Sequence, residues 1–220
     1  MNQPIKQKSS PIRILIADDH YIVRIGLISM INLEPDLEVV AEATDGIQAT
    51  AMFKKWNPDL TLLDVHMPVK NGIEAAIEIR QQNNEARILM LTALDGDEDI
   101  HRAMEAGAAG YVLKDSTDDK LLPAIRAVAS GKRWIPDEVA KRLKSRRLFE
   151  ELTPRELLIL NEVVKGLANK QIADVLSISE NTVKWHLKNI LAKLCVADRA
   201  EAVAVAIQRG IIHLSTKAPA

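Results

Sequence analysis

The chain of 220 residues has little of several things. It has one cysteine, Cys195, which excludes an internal disulfide and suits a reducing compartment. Aromatic residues make up 3% of it, so Leu, Ile, Val and Ala must do most of the packing. No apolar run approaches the roughly 20 residues that a membrane span needs. The opening MNQPIKQKSS is polar and carries no apolar segment of the signal-peptide kind. These absences lead us to expect a cytoplasmic protein with no membrane partner. The 47% hydrophobic content is ordinary for globular protein, and the length suits one large domain or two modest ones.

The net charge of −1 conceals an asymmetry. Residues 1–131 hold 20 acidic and 13 basic side chains, whereas residues 132–220 hold 10 acidic and 16 basic ones. An acidic half joined to a basic half suggests two tasks, the basic one on nucleic acid.

In the first half, short apolar runs alternate with amphipathic stretches. The runs are IRILIA (12–17), LEVVAEA (37–43), LTLLD (60–64), RILMLT (87–92) and GYVLK (110–114). Between them, segments such as NGIEAAIEIRQQ (71–82) place Ile73, Ala76, Ile77 and Arg80 at helical spacing. Five such alternations predict a parallel sheet wrapped by helices. In such a sheet the reactive site lies beyond the carboxyl ends of the strands, where the strand order reverses.

LTLLD raises the sharpest question, because a carboxylate closing an apolar run is costly to bury unless a cation meets it. Either Asp64 is an exposed edge charge, or it is a reactive group at a strand end. The other strand ends bear on the choice. The first strand runs into Asp18 and Asp19, the fourth into Thr92 and the fifth into Lys114. Singly, each has a bland explanation: paired aspartates often cap a helix, and a lone lysine is usually solvated. Together, on one edge of a parallel sheet, three carboxylates need a cation, and oxygen ligands select Mg²⁺ or Mn²⁺ over zinc. A carboxylate beside such an ion can attack phosphorus and form an acyl phosphate. His20 and His66 raise a transition-metal alternative of low weight.

Residues 12–131 resemble the receiver domain of two-component response regulators. IADDH is similar to its acidic pair, LLDVHMPVKNG to its phosphoacceptor loop, LTA to its switch segment and GYVLKD to its lysine segment. The resemblance implies a doubly wound, five-stranded parallel sheet of the flavodoxin-like kind. It also implies that a sensor histidine kinase phosphorylates Asp64. Mg²⁺ (or Mn²⁺) would be held by Asp19, Asp64 and the main-chain carbonyl of His66, with Asp18 completing the site. Thr92 and Tyr111 would form a switch pair, Tyr111 turning inward once phosphate draws Thr92 towards it, and Lys114 would contact the phosphoryl group. Leu94 would hinder the hydrolytic water, so a Leu94→Glu variant should lose phosphate faster.

Residues 132–150 read as a basic linker with a short helix beginning at Pro136, a favoured first helical residue. The second half has no strand pattern. Thr153-Pro154-Arg155-Glu156 is a capping box, and its helix should stop near Gly166. NKQIADVLSI (169–178) predicts a second, short helix, and Ser179 should cap a third. On that third helix Val183, Leu187, Ile190, Leu191 and Leu194 share one stripe, with Asn181, Trp185, Lys188 and Asn189 opposite. A polar face carrying lysines, amides and an exposed indole reads as a helix-turn-helix recognition element. Residues 152–194 are similar to the LuxR-type DNA-binding domain of NarL/FixJ-type response regulators, an all-α helix-turn-helix fold. That resemblance implies double-stranded DNA as partner. Lys184, Trp185 and Lys188 would face bases, Lys170, Thr182 and Asn189 would contact phosphates, and Asn181 shares their face. The nearly all-apolar segment 198–210 should pack on the domain core and on a second copy. Ala202, Val205 and Ala206 are its candidates for a homodimer formed on phosphorylation, and Cys195 before it is expected to be packed.

The resulting plan is a disordered start (1–11), a receiver (12–131), a linker (132–150), a LuxR-type domain (151–214) and a tail (215–220). The expected function is phosphorylation-dependent transcriptional regulation, without enzymatic turnover beyond slow self-phosphotransfer and autodephosphorylation. Two alternatives stand beside it: a DNA-binding regulator indifferent to phosphorylation, and a metal-dependent aspartyl-phosphate phosphohydrolase. The second would want an acid-base aspartate at the position of His66.

Overall fold

The structure is a computed structural model that describes residues 10–92, 96–114, 118–146 and 150–212. Leu94 and most of the expected terminal segments lie outside the described residues. The chain divides into two compact units.

The first unit is built on five strands: β1 (Ile12–Ala17), β2 (Leu37–Ala43), β3 (Leu60–Asp64), β4 (Ile88–Thr92) and β5 (Gly110–Leu113). They lie in the order β2-β1-β3-β4-β5, with every neighbouring pair parallel. This is the expected doubly wound sheet. β3 and β4 are buried along their whole length, which is why they read as continuous apolar runs rather than as an alternation. The helices that alternate with these strands along the chain are α1 (Tyr21–Asn32), α2 (Gly46–Trp56), α3 (Gly72–Gln82), α4 (Asp97–Glu105) and α5 (Asp118–Ala129). On one face Ile31 of α1 and Leu121, Ile125 and Val128 of α5 pack over Ile14, Leu62 and Leu89. Local chemistry sets the ends of these helices. Asp45 caps α2 by accepting from the Gln48 amide, and Asn71 with Glu74 forms a capping box on α3.

The unit around the sheet runs on past Gly131, through Val139. Trp134 explains the extension. Its amide donates to the Ala109 carbonyl at 3.1 Å, and its carbonyl accepts from the Tyr111 amide at 2.9 Å. A segment read as linker is thus laid along β5. α6 (Asp137–Arg146) begins one residue after Pro136.

The second unit holds α7 (Pro154–Val164), α8 (Asn169–Leu176), α9 (Glu180–Leu194) and α10 (Arg199–Gln208). Thr153 and Glu156 form the predicted capping box, and the Ser179 side chain accepts from the Thr182 amide. Val183, Ile190 and Leu194 of α9 are buried against Ile159, Leu160, Val163 and Ile172. α7 stops two residues before Gly166, whose φ of 85° only glycine adopts easily.

Two readings of this half need correction. Ala202 and Ala206 are 1% and 0% exposed within the domain's own core, so neither can meet a second copy. Four residues apart, they lie on one face of α10, and α10 presents it to α7 and α9. Val205 is half-buried, while Ala204 and Ile207 are exposed. Cys195 is exposed rather than packed. It is the C-cap of α9 at φ 56°, and that left-handed turn directs it away from the helix's buried stripe.

Candidate functional site

The strand order reverses between β1 and β3, so the carboxyl ends of these two strands lie side by side. Asp18 follows β1 and is 0% exposed; Asp64 closes β3 and is 1% exposed. Lys114, following β5, reaches both. Its Nζ lies 2.9 Å from Asp18 Oδ2 and 2.8 Å from Asp64 Oδ2. Of the two openings for Asp64, the exposed edge charge is thus excluded. Thr92 closes β4 and is fully buried at the same rim.

Electrostatics follow from this burial. Desolvation pushes the Asp64 carboxyl up to about 6, the negative charge of Asp18 adds to the rise, and Lys114 pulls the other way. For Lys114, burial favours the neutral amine, yet hydrogen bonds and charge from Asp64 and Asp18 outweigh it and raise its pKa. Three carboxylates face one ammonium here, which leaves a net negative charge.

Asp19 is partly exposed, and its Oδ1 lies 2.8 Å from His20 Nδ1. Ligand atoms of Asp18, Asp19, His20 and Asp64 all fall within 4.8 Å of one another. The donor set is dominated by carboxylate oxygen, which fits a hard divalent cation. Both Oδ2 atoms are buried and share the single ammonium of Lys114, one positive charge between two carboxylates, which leaves room for a second cation. The helix cap at this corner is His20, which makes no side-chain cap bond; neither aspartate fills that role.

The loop after Asp64 is tightly specified. The Lys70 amide donates to the Pro68 carbonyl at 2.7 Å across Val69, which sits at φ 67°. A β-branched residue there is strained. The loop then returns so that the Gly72 amide donates to the Val65 carbonyl at 2.9 Å. A Cβ on Gly72 would lie 1.9 Å from the Asp64 carbonyl oxygen. The His66 amide approaches Asp64 Oδ1 at 3.4 Å. Tyr111 is 0% exposed. β5 pairs it with Met90 inside the sheet, where burying the ring is favourable.

On α9, Asn181, Lys184, Trp185 and Lys188 are exposed, with Trp185 at 60%, and Lys170 is exposed on α8. Thr182 and Asn189 are half-buried. The Thr182 hydroxyl sits 2.7 Å from the Ser179 hydroxyl and so belongs partly to the cap. Lys184 pairs with Glu180 at 2.8 Å, and the Trp185 ring meets His186 edge-on at 4.8 Å. Three residues join α8 to α9, with Ser177 in the left-handed region at φ 52°. Arg155 of α7 donates to the Leu176 carbonyl at 3.2 Å and holds the end of α8.

Sequence reasoning missed three contributors. Arg24 donates to the Asp18 carbonyl, Gly72 clears the Asp64 backbone, and Lys193 bonds the buried Glu156. A charged residue inside an apolar helix face was the available signal for Arg24.

A family profile described as the response regulator receiver domain matches residues 14–126, and one described as bacterial regulatory proteins, luxR family, matches residues 150–206. The chain is 41% identical over 209 residues to the nitrate/nitrite response regulator protein NarP of Escherichia coli, covering 92% of this chain and 97% of that protein. It is 37% identical to the response regulator protein VraR of Staphylococcus aureus, with 92% and 99% covered. Among solved structures, the response regulator ChrA of a heme-sensing two-component system aligns with a TM-score of 0.57 at 38% identity, covering 93% and 100%. RcsB of Salmonella enterica, bound to promoter DNA with a phosphate mimic, aligns with a TM-score of 0.70 at 23% identity, covering 92% and 100%, a likeness of fold alone. Among the described residues no helix is long and apolar enough to cross a membrane.

Proposed function

Because the chain belongs to the two-component response regulators, with a receiver domain followed by a LuxR-type DNA-binding domain, we propose that Asp64 is its phosphoacceptor and that phosphorylation there governs its grip on DNA. The protein is a two-component transcriptional regulator. The observation that carries the proposal is the buried Asp64 carboxylate, held at 2.8 Å by Lys114 beside Asp18.

In the proposed reaction an Asp64 carboxylate oxygen attacks the phosphorus of a phosphohistidine on a sensor kinase. The P–N bond breaks, its electron pair returns to the imidazole, and an acyl phosphate forms. Asp64 must be ionised to attack, and burial opposes this; Lys114 counters the penalty. Asp18, Asp19, Asp64 and the main-chain carbonyl of His66 would hold Mg²⁺ (or Mn²⁺). When bound, that ion supplies the positive charge that offsets the carboxylates and the phosphoryl oxygens. Lys114 and the Thr92 hydroxyl contact the phosphoryl group, and with Tyr111 they relay the change to the surface around α4 and β5.

For DNA, α9 enters the major groove with Lys184, Trp185 and Lys188 towards base edges, and Asn181 beside them. Lys170, Thr182 and Asn189 contact phosphates. The phosphorylated protein dimerises and reads half-sites about one helical turn apart. It works in the cytoplasm, and its own chemistry is confined to slow self-phosphotransfer and dephosphorylation.

The test has two parts. Intact mass spectrometry after acetyl phosphate and Mg²⁺ should show one added phosphoryl group in the wild type and none in Asp64→Asn. A mobility-shift titration on genomic fragments at two salt concentrations should then show tighter binding by the phosphorylated form. If the wild type gains no phosphate on Asp64, the reading fails.

A further inference from the structure

Arg24 is the one charged residue in α1, whose sequence is YIVRIGLISMIN. It is nonetheless 7% exposed. A guanidinium withdrawn from water is costly unless its donors are met, so its partners should show what keeps it there. Its Nη1 donates to the main-chain carbonyl of Asp18 at 2.8 Å, a fully buried bond. Its Nε donates to Glu42 Oε2 of β2 at 2.9 Å, and its guanidinium carbon stands 5.6 Å from the Tyr21 ring centroid. Glu42 is 55% exposed along its side chain. One end of Arg24 is therefore tied to the rim of the sheet and the other to a solvated carboxylate that balances its charge.

The Asp18 carbonyl belongs to the peptide that links the two acidic residues. Fixing that carbonyl fixes the last torsion of Asp18 and the first of Asp19, and so the direction in which the Asp19 side chain leaves the backbone. Asp18 has other restraints: its amide donates to the Ala43 carbonyl at 3.2 Å, and its Oδ1 accepts from the His20 amide at 2.8 Å. Asp19 is different. Its side chain is 32% exposed and meets His20, itself 65% exposed, so no buried packing aims it. Its direction is inherited from the backbone that Arg24 clamps. Resting on the proposed metal and phosphoacceptor reading of this rim, we infer that Arg24 is a positioning residue for the divalent cation, acting through the Asp18–Asp19 peptide and not by contact with the ion or the phosphoryl group. The two bonds leave the guanidinium in different directions from a planar fork, which a lysine cannot reproduce.

The experiment measures Mn²⁺ binding to the unphosphorylated full-length chain by water-proton relaxation, alongside acetyl-phosphate labelling of Asp64 across a Mg²⁺ series. Arg24→Met should raise the Mn²⁺ dissociation constant by about 10-fold or more, the usual cost of losing an outer-shell partner. Its labelling rate at saturating Mg²⁺ should stay within about 3-fold of wild type, which separates positioning from general damage. Arg24→Lys should bind Mn²⁺ nearly as poorly as Arg24→Met. Glu42→Gln keeps the Asp18 bond and should change binding by less than about 2-fold. If Arg24→Met does not fold, Arg24→Lys decides by the same measure. Wild-type-like Mn²⁺ binding in a folded Arg24 variant overturns the inference alone, as does a labelling defect that saturating Mg²⁺ leaves in place. A wild type that binds no Mn²⁺ overturns both this inference and the metal reading beneath it.

Discussion

Replacing Lys193 by methionine should loosen the DNA-binding domain in a pH-dependent way. Lys193 lies in the last turn of α9, and its Nζ donates to Glu156 Oε2 at 2.8 Å and to the Glu151 carbonyl at 3.1 Å. Glu156 is 3% exposed at the start of α7, where it also accepts from the Thr153 amide at 2.8 Å and hydroxyl at 3.0 Å. One ammonium thus ties the recognition helix to the first helix of its domain. Losing one partner of a buried ion pair costs about 3–5 kcal/mol. Two donors from Thr153 remain, however, and the Lys193 side chain is 20% exposed, so about 2 kcal/mol is the better figure.

The sign follows from Glu156. Burial pushes its carboxyl up, but Lys193 and the Thr153 bonds outweigh that and hold it below the ordinary value of 4.5. A depressed folded value means that the stabilisation is present above the unfolded value and is lost as pH falls through the folded one. Amide exchange read by mass spectrometry on α7 and α9 should therefore quicken by roughly 30-fold in Lys193→Met at pH 7, the equivalent of about 2 kcal/mol. Once intrinsic rates are divided out, the ratio should shrink towards one below the folded value. A change under about 3-fold at pH 7, or a large one that ignores pH, would mean that the Lys193–Glu156 pair does not hold the two helices together.

Asp64→Asn should stabilise the metal-free receiver at pH 7.5 by on the order of 2–3 kcal/mol. The wild-type carboxyl is raised to about 6 from 3.8, so its contribution is intact below the unfolded value and is lost as pH rises through the folded one. Urea unfolding in a chelator should show that gain vanish near pH 4, and an equal gain at both pH values would count against it. Gly72→Ala should abolish Asp64 labelling, since the new Cβ would meet the Asp64 carbonyl at 1.9 Å. Gly26→Ala, which meets nothing within 4 Å in mid-helix, should instead stabilise by about 0.5–1 kcal/mol; unchanged labelling in the Gly72 variant would show that the loop can yield. Lys188→Gln should weaken DNA binding almost uniformly if it meets a phosphate, lowering the salt slope by about one, or relax base preference at one position if it meets a base. Binding unchanged in both respects would remove it from the interface.

Much of this molecule could be read from spacing alone. β3 and β4 stand at LTLLD and ILMLT because parallel strands buried on both faces are written as unbroken apolar runs. The caps at Thr153 and Ser179 are legible because an orphan amide is met by a side chain three residues away. The errors were of another kind. Helical periodicity marked Ala202 and Ala206 as apolar but could not say which neighbour covers them. Residue type alone makes Cys195 a packed residue, whereas its left-handed cap leaves it exposed. Trp134 looked like linker because its partners, Ala109 and Tyr111, lie more than twenty positions away in β5 and the turn before it.

Local pattern by itself determined the strands, the helices with their caps, and the list of polar residues that end the strands, since each depends on neighbours within a few positions. That Asp18, Asp64 and Lys114 share one point, that Arg24 bonds the peptide between the two acids, and that Lys193 bonds Glu156 depend on the folded arrangement. Those contacts join residues brought together by parallel sheet order and helix packing. Hydrophobic burial, which has no direction, selects the packing, and the polar contacts then hold only where that packing delivers donor and acceptor within reach.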